Sequence, residues 1–410
     1  MPTLAAIGLG SRGRMYLSEL KKFKDVKITA LCDSNKLTLE HTAGWAKPER
    51  TFDDEDNFFA AGRIADWLII ASPDLIHYRH MKKALELGYN ILAEKPVTPN
   101  PAEIDELCNL ADEKDCTVLV CHVLRYTPYF RTIKDIIASG EIGEVVNIVH
   151  EENVGYWHFA HSFTRGNWRN LKVSAPFLLA KCSHDFDLLH WFVQKPCESI
   201  SAYGSLYYFH EGNKPEGAAA YCLDGCPYLK TCPYSAEKLY LSKKTPLGWG
   251  REIAAGLPYN PSHRQLREAL RTGDYGRCVY SCDNDVCDHH SVAMQFEGGT
   301  TATLNVSAFN KEFSRRTHIL GTKGELYGQD DTMRLQKNIY GGASKKLKIR
   351  ASSRSGHGGG DTGLTGTVHA LMNGKSIPKD NLTTLQETRI SHRMVYAALE
   401  SVATGETIRL

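Results

Sequence analysis

The chain has 410 residues, 42% of them apolar and 23% charged, a composition typical of folded globular proteins. A length of this order calls for two domains of unequal kind. The formal net charge of +2 gives no electrostatic reason to expect a nucleic acid or an anionic membrane as partner. No run of about 18 apolar residues occurs, and the first ten residues pass into a strand-like segment without a basic leader, so a cytoplasmic protein is expected.

Thr3 to Ile7 is a short apolar run, followed by Gly8-Leu9-Gly10-Ser11-Arg12-Gly13 and a helical pattern. Strand, glycine turn and helix in that order form a dinucleotide fingerprint. Gly8 allows the tight turn, Gly10 lets the backbone approach a pyrophosphate, and Gly13 permits close helix packing; Ser11 and Arg12 are read with them as cofactor-binding. A second strand, Val26 to Leu31, leads to Asp33, about 20 residues past Gly13, where an acid binds the ribose hydroxyls. Asp33 favours NAD over NADP, while Lys36 nearby keeps NADP open.

The alternation continues with a buried strand over residues 66–71, the turn Ser72-Pro73-Asp74, and a helix to about Leu87. Ser72 and His77 are candidate cofactor contacts, with capping or packing as the alternative for His77. In residues 90–97, NILAEKPV, Ile91 to Ala93 end a buried strand and Glu94 and Lys95 emerge at its carboxyl edge, where open α/β sheets place ligands. Pro96 restricts Lys95, so the ammonium is held in one direction and can donate a proton or orient a hydroxyl. A solvated loop lysine is the other reading. Asn100-Pro101-Ala102-Glu103 supplies the cap of the next helix, and residues 117–121 close the set as a strand. Repeated units of this length predict an α/β, doubly wound parallel Rossmann sheet.

The segments GLGSRG and SPDLIHYRHMKKALELGYNILAEKPVTPN resemble the glucose-fructose oxidoreductase / inositol dehydrogenase / rhizopine catabolism (Gfo/Idh/MocA) superfamily. The resemblance is strong to about residue 195 and looser afterwards. It implies that Lys95 lies against both nicotinamide and substrate, beside Glu94. It also implies a crossing, after residue 124, into a domain that pairs copies of the chain as homodimers or homotetramers.

From Arg125-Tyr126-Thr127-Pro128 a helix runs to Gly140, and period-two alternation returns in residues 199–209, 293–296 and 300–308, with Gly321, Gly324 and Gly328 as turns. Residues 125–410 are therefore expected to form an α+β substrate and oligomerisation domain around a mostly antiparallel open sheet. A Cys-rich insertion at about 211–290 and a closing helix over 385–402 complete it. Arg125 and Tyr126, at the crossing, are candidate substrate contacts.

Phe177 to Val193 is the helix that matters most. Lys181, His184 and Asp185 fall three or four residues apart and share a face. KCSHDFDLLHW is similar to the family segment whose histidine is the acid/base, which implies that role for His184. Inositol-oxidising relatives have an aspartate four residues earlier, where this chain has Ala180. Part of the proton transfer is therefore expected to fall to Lys181, whose charge would lower the pKa of His184. Asp185 is a candidate substrate contact. In the preceding loop, Arg165 and Arg169 are placed to grip an anionic group and Trp168 to stack, so Arg165 is assigned to substrate and Trp168 and Arg169 to cofactor. His158 and His161 have no convincing ligand spacing. The stretch Ser355 to Asp361, SGHGGGD, resembles a loop of carbohydrate-acting branches of the family, which makes His357 a candidate substrate contact.

Cys222, Cys226 and Cys232, with Cys278 or Cys282, stand in two polar segments. Four such thiolates suit a structural zinc or, less readily, an iron–sulfur cluster; reduced packing cysteines are the equal alternative. The functional expectation is an NAD-dependent oxidation of a ring hydroxyl in a sugar, glycoside or cyclitol, with Lys/His acid–base catalysis. A redox-neutral NAD-dependent glycosidase is the second reading, and a non-catalytic NAD-binding sensor the third.

Overall fold

The computed structural model describes residues 1–242, 247–350 and 357–410. Its first half alternates β1 (Thr3–Ile7), α1 (Ser11–Leu20), β2 (Lys27–Cys32), α2 (Lys36–Ala46), β3 (Arg50–Phe52), α3 (Glu55–Ala60), β4 (Trp67–Ile70), α4 (His77–Glu86), β5 (Asn90–Ala93), α5 (Pro101–Glu113) and β6 (Val118–Val120). The strands pair in parallel in the order β3-β2-β1-β4-β5-β6, so the order reverses at β1 and opens a crevice beyond the carboxyl ends. Successive side chains leave opposite faces of each strand. Ile7, Ile70, Ile91 and Ala93 therefore pack against α4 and α5, while Leu4, Ala6, Ile69 and Leu92 pack with Leu17 and Leu20 of α1. Asn100 caps α5 as predicted, accepting from the Ala102 N–H at 3.1 Å, but Glu103 bonds the Thr98 hydroxyl instead of closing a capping box.

The second half contains α6 (Pro128–Ala138), β7 (Val145–Asn153), α7 (Tyr156–Phe159), α8 (Phe177–Val193), β8 (Cys197–Ser205), α9 (Gly250–Ala255), α10 (His263–Thr272) and β9 (His289–Phe296). It continues with β10 (Thr301–Ser307), β11 (Ser314–Gly321), β12 (Gly324–Gln329), β13 (Arg334–Ile339), β14 (Ser344–Lys348), α11 (Gly360–Met372), α12 (Leu385–Thr404) and β15 (Ile408–Arg409). The second sheet runs β14-β13-β12-β11-β7-β10-β9-β8-β15, antiparallel except where β7 meets β10. Gly321 and Gly324 flank a hairpin as expected. Gly328 lies inside β12, where a Cβ would come within 2.4 Å of the Tyr129 hydroxyl, so close approach and not a turn requires glycine there.

The helix α8 runs between the second sheet and α12 and is buried on nearly every side, not on one face. Leu178, Leu179, Phe186, Leu188 and Leu189 are fully covered, each contributing about 2 kcal/mol relative to exposure. Burial on this scale fixes the helix rigidly. The chain then departs from a clean division at residue 124. Leu364 and Val368 of α11 join the core beside α1, and the Val120 N–H donates to the Thr383 carbonyl at 2.8 Å. One face of the first sheet is thus completed by the end of the chain.

Candidate active site

The glycine turn follows the dinucleotide geometry. Gly8 has φ +85°, and a Cβ there would come within 2.5 Å of the Ala71 and Ser72 backbone. A Cβ on Gly13 would stand 2.0 Å from the Gly8 carbonyl, whereas one on Gly10 would meet nothing within 4 Å. The backbone at Gly10 thus faces open space at the amino end of α1, a cradle that fits a pyrophosphate. Ser11 opens α1 there. Asp33 accepts from the Leu9 N–H at 2.6 Å and the Asn35 N–H at 2.8 Å, which fixes its carboxylate at the end of β2. Lys36 pairs with Asp53 at 3.3 Å. Arg12 is turned inward, its guanidinium pairing with Glu94 and Asp361, both at 2.8 Å, and bonding Tyr16.

The carboxyl ends of β4 and β5 build the next layer. Lys95, before a cis Pro96, sends its ammonium across the crevice to donate to the Ala180 carbonyl in α8. Burial lowers its pKa, opposed by the charges of Glu94 and Asp74 and assisted by that of Lys181. Ser72 and His77 form a clamp: the His77 ring spans the Ser72 carbonyl at 2.6 Å and the Pro96 carbonyl at 2.7 Å, and the Ser72 hydroxyl meets His80. Asp74 is buried and raised by desolvation, with the Trp168 indole N–H donating to it at 3.0 Å. That bond draws the indole into the wall of the site.

His184 sits one turn after Ala180. Burial holds its imidazole well below the usual histidine range, reinforced by the charges of Lys95, His122 and Arg315, so it is neutral, and its Nδ1 is buried without a protein partner. The expected cation beside it is therefore Lys95, not Lys181. Lys181 turns to Glu152, at 3.0 Å, and over the Phe313 ring. His357 lies with its ring centre 6.2 Å from that of His184 and its Nδ1 3.2 Å from Asp361. Ser355 and Gly356 of the same stretch lie outside the described residues.

Other candidates are placed elsewhere, for electrostatic reasons. Arg125 makes a two-pronged bond to Asp187, both contacts 2.7 Å, with Glu387 3.7 Å from its Nη1, and Tyr126 bonds Thr383, so both are engaged by partners inside the protein. Asp185 is held far below the ordinary carboxylate range by Arg315, at 2.6 Å, against its burial, and His150 approaches it at 3.0 Å. Arg165 is fully buried and donates to the carbonyls of Arg277 at 2.7 Å and Tyr234 at 2.8 Å. Arg169 pairs with Asp283 at 2.8 Å and so faces the insertion.

The metal expectation finds no support among the described residues. Cys222, Cys226, Cys232 and Cys278 do line one cavity of about 230 Å³, but Arg165 lines it too, with Nη2 3.5 Å from the Cys222 sulfur. Burial pushes the Cys232, Cys278 and Cys282 thiols up, Cys282 to about 11, and Cys282 donates to the Cys278 carbonyl. The Arg165 guanidinium beside the Cys222 sulfur opposes a divalent cation there, and among the described residues no three His, Cys, Asp or Glu side chains converge to hold a metal.

Three residues escaped the sequence reading. Asp74 belongs to the quoted turn but was given no role. His122 ends β6 at the same carboxyl edge as Lys95, so the rule that found Lys95 also applies to it. Its ring centre is 5.6 Å from that of His184, and burial lowers its pKa to about 4. His158, dismissed for lack of ligand spacing, is depressed by burial and by the charge of Lys181. Only the fold brings it there.

A crevice at the strand reversal and a glycine cradle at the amino end of α1 make the first half a dinucleotide-binding domain. Residues 3–122 match the model of the oxidoreductase family, NAD-binding Rossmann fold, and residues 134–410 that of its C-terminal alpha/beta domain. The chain belongs to the Gfo/Idh/MocA family and is an NAD-binding oxidoreductase. It is 25% identical over 351 residues to the oxidoreductase YteT of Bacillus subtilis, covering 82% of this chain and 78% of that one. Inositol 2-dehydrogenase of Leifsonia xyli is 23% identical over 204 residues, 47% of this chain and 55% of the relative. Among solved structures, the WlbA dehydrogenase of Bordetella pertussis, in complex with NADH and UDP-GlcNAcA, superposes with a TM-score of 0.70 at 16% identity, covering 100% of this chain and 97% of that one. The myo-inositol 2-dehydrogenase of Lactobacillus plantarum gives a TM-score of 0.67 at 18% identity, covering 100% and 99%. Among the described residues no helix is long and apolar enough to cross a membrane.

Proposed function

We propose that this chain is an NAD-dependent dehydrogenase that oxidises a ring hydroxyl of a sugar, glycoside or cyclitol. The observation that carries this reading is the Lys95 ammonium reaching the Ala180 carbonyl, which sets Lys95 and His184 on the same side of one crevice. His184 is neutral, the form that takes a hydroxyl proton. Lys95 orients the hydroxyl and stabilises the negative charge that grows on its oxygen as the proton leaves. NAD, when bound, supplies the hydride acceptor. Asp33, with Lys36 engaged by Asp53, favours NAD over NADP. Lys181 acts as a second cation at the rim, and Lys181→Met should lower turnover more than stability.

The second reading, a redox-neutral glycosidase, is favoured by one observation. His357, paired with Asp361, places another imidazole beside His184, where elimination of an aglycone and addition of water need a further acid and base. A screen of glycosides and polyols with NAD, following nicotinamide absorbance and aglycone release together, separates the two. Net NADH supports the dehydrogenase, and aglycone without NADH supports the glycosidase. Neither signal from any member would leave the sensor reading.

Two further parts of the reading concern assembly and location. The outer face of the second sheet carries Val146, Tyr203 and Tyr327, exposed by 49%, 71% and 52%, which supports a homodimer or homotetramer through that face. Light scattering that gives a monomer mass at working concentration would remove this. All twelve cysteines carry free thiols, which supports a reducing, cytoplasmic setting.

A further inference from the structure

Beside the lysine–imidazole pair stand aromatic rings that proton and hydride transfer do not require. The Lys181 ammonium lies 4.6 Å over the centre of the Phe313 ring. His158 meets Phe313 edge to face with centroids 5.0 Å apart, and meets Trp249 in the same way at 5.5 Å. Trp249 and Phe313 nevertheless keep 46% and 39% of their surface exposed. Two large rings anchored on one imidazole and bare on the outside form an open apolar face next to charged groups, the pattern of a ligand wall. His158 is itself anchored by a hydrogen bond to the Val154 backbone.

Trp249 is delivered by the insertion and caps α9. Glu252, in the same helix, pairs with Arg14 of α1 at 3.3 Å, so the insertion reaches back to the helix that follows the glycine turn. The insertion thereby brings the indole against His158 and His161, with centroids 5.5 and 4.9 Å away.

We propose that Trp249, Phe313 and His158 form a second-ring subsite, and that the substrate is a glycoside whose aglycone is itself a ring, not a free monosaccharide or cyclitol. The inference rests on the hydroxyl-oxidation reading and narrows it. With the reacting ring at Lys95 and His184, the next ring falls toward Lys181 and Phe313. An aromatic face suits the apolar face of a pyranose or an aryl group.

The test uses the full chain with NAD and three probes of one sugar at a time: the methyl glycoside, the 4-nitrophenyl glycoside and the disaccharide, through the gluco, galacto and xylo series. Dissociation constants come from calorimetry and kcat/KM from nicotinamide absorbance and aglycone release. In the wild type at least one ringed probe of a series should be favoured over its methyl partner by roughly tenfold or more, the scale of one good ring contact. Trp249→Ala and Trp249→Leu, the latter keeping apolar bulk without a ring face, should each bring that ratio toward one. A preference for the 4-nitrophenyl probe alone assigns an aryl aglycone, and a preference extending to the disaccharide assigns a pyranose. A wild-type ratio near one, a ratio unchanged in both variants, or no binding by any probe overturns the subsite. Ring-dependent binding with no chemistry on any probe would instead sink the hydroxyl-oxidation reading and leave the subsite standing.

Discussion

The Lys95 ammonium, presented by β5, donates to the Ala180 carbonyl in α8, one turn before His184. A single bond between the two halves thus sets the spacing of an ammonium and an imidazole drawn from distant segments. Two consequences follow for Lys95 and His184, one kinetic and one electrostatic.

Lys95→Met should lower kcat by roughly 10²- to 10⁴-fold, the usual range for a positioned proton-transfer group, while NAD affinity changes little. The positive charge of Lys95 is, after burial, the largest cause of the depressed His184 pKa. Its removal should therefore raise that pKa and move the acid limb of the kcat/KM profile to higher pH. An acid limb that stays in place in Lys95→Met would show that the two groups do not share a field.

Acid should destabilise the fold over a defined window. Burial lowers His122 and His290 to about 4 from an ordinary 6.5. Each is neutral in the native state while the unfolded chain binds the proton, so stability is fully present above pH 6.5 and is lost as pH falls toward 4. His122→Asn should flatten the pH dependence of denaturant stability in this window by about 1–3 kcal/mol. An unchanged slope in that variant would mean that His122 is already protonated in the native state.

Two of the turn glycines, Gly10 and Gly13, should respond differently to a methyl group. Gly10→Ala meets open space, so the melting temperature should hold while NAD affinity falls. Gly13→Ala would place a carbon 2.0 Å from the Gly8 carbonyl and should destabilise the fold with or without NAD. Thermal melts at increasing NAD distinguish the two, and equal loss of stability in both would refute the open-cradle reading of Gly10.

Arg125 and Asp187 form a buried ion pair, each side chain about 1% exposed. Asp187→Ala leaves a buried guanidinium with only the more distant Glu387, at 3.7 Å, as counter-charge and should cost about 3–5 kcal/mol, whereas Arg125→Met with Asp187→Leu should recover much of it. Denaturant titrations of the single and double variants check this. If the double variant folds stably but loses substrate affinity selectively, Arg125 serves binding after all.

Residue patterns alone determined the local elements and the nucleotide half. Glycine turn, apolar strand and capped helix are interactions over a few residues, so Gly8, Gly10, Gly13, Asp33 and the exit of Lys95 were legible in order along the chain. The same is true of α8, whose apolar spacing marks its ends. Charge partners were not legible, because they join residues far apart in sequence: Arg125 with Asp187, Asp185 with Arg315, Lys181 with Glu152. The polar spacing that suggested substrate contacts at Arg125, Arg165 and Asp185 is equally the spacing of buried ion pairs and capped carbonyls. Only packing decides between them, by removing water and supplying the opposite charge or an acceptor. The cysteine segments leave a metal site and packing thiols equally open for the same reason, since nothing in their spacing shows that Arg165 stands among them. Likewise, His158 enters the field of Lys95 and Lys181, and Trp249 reaches His158, only through tertiary packing.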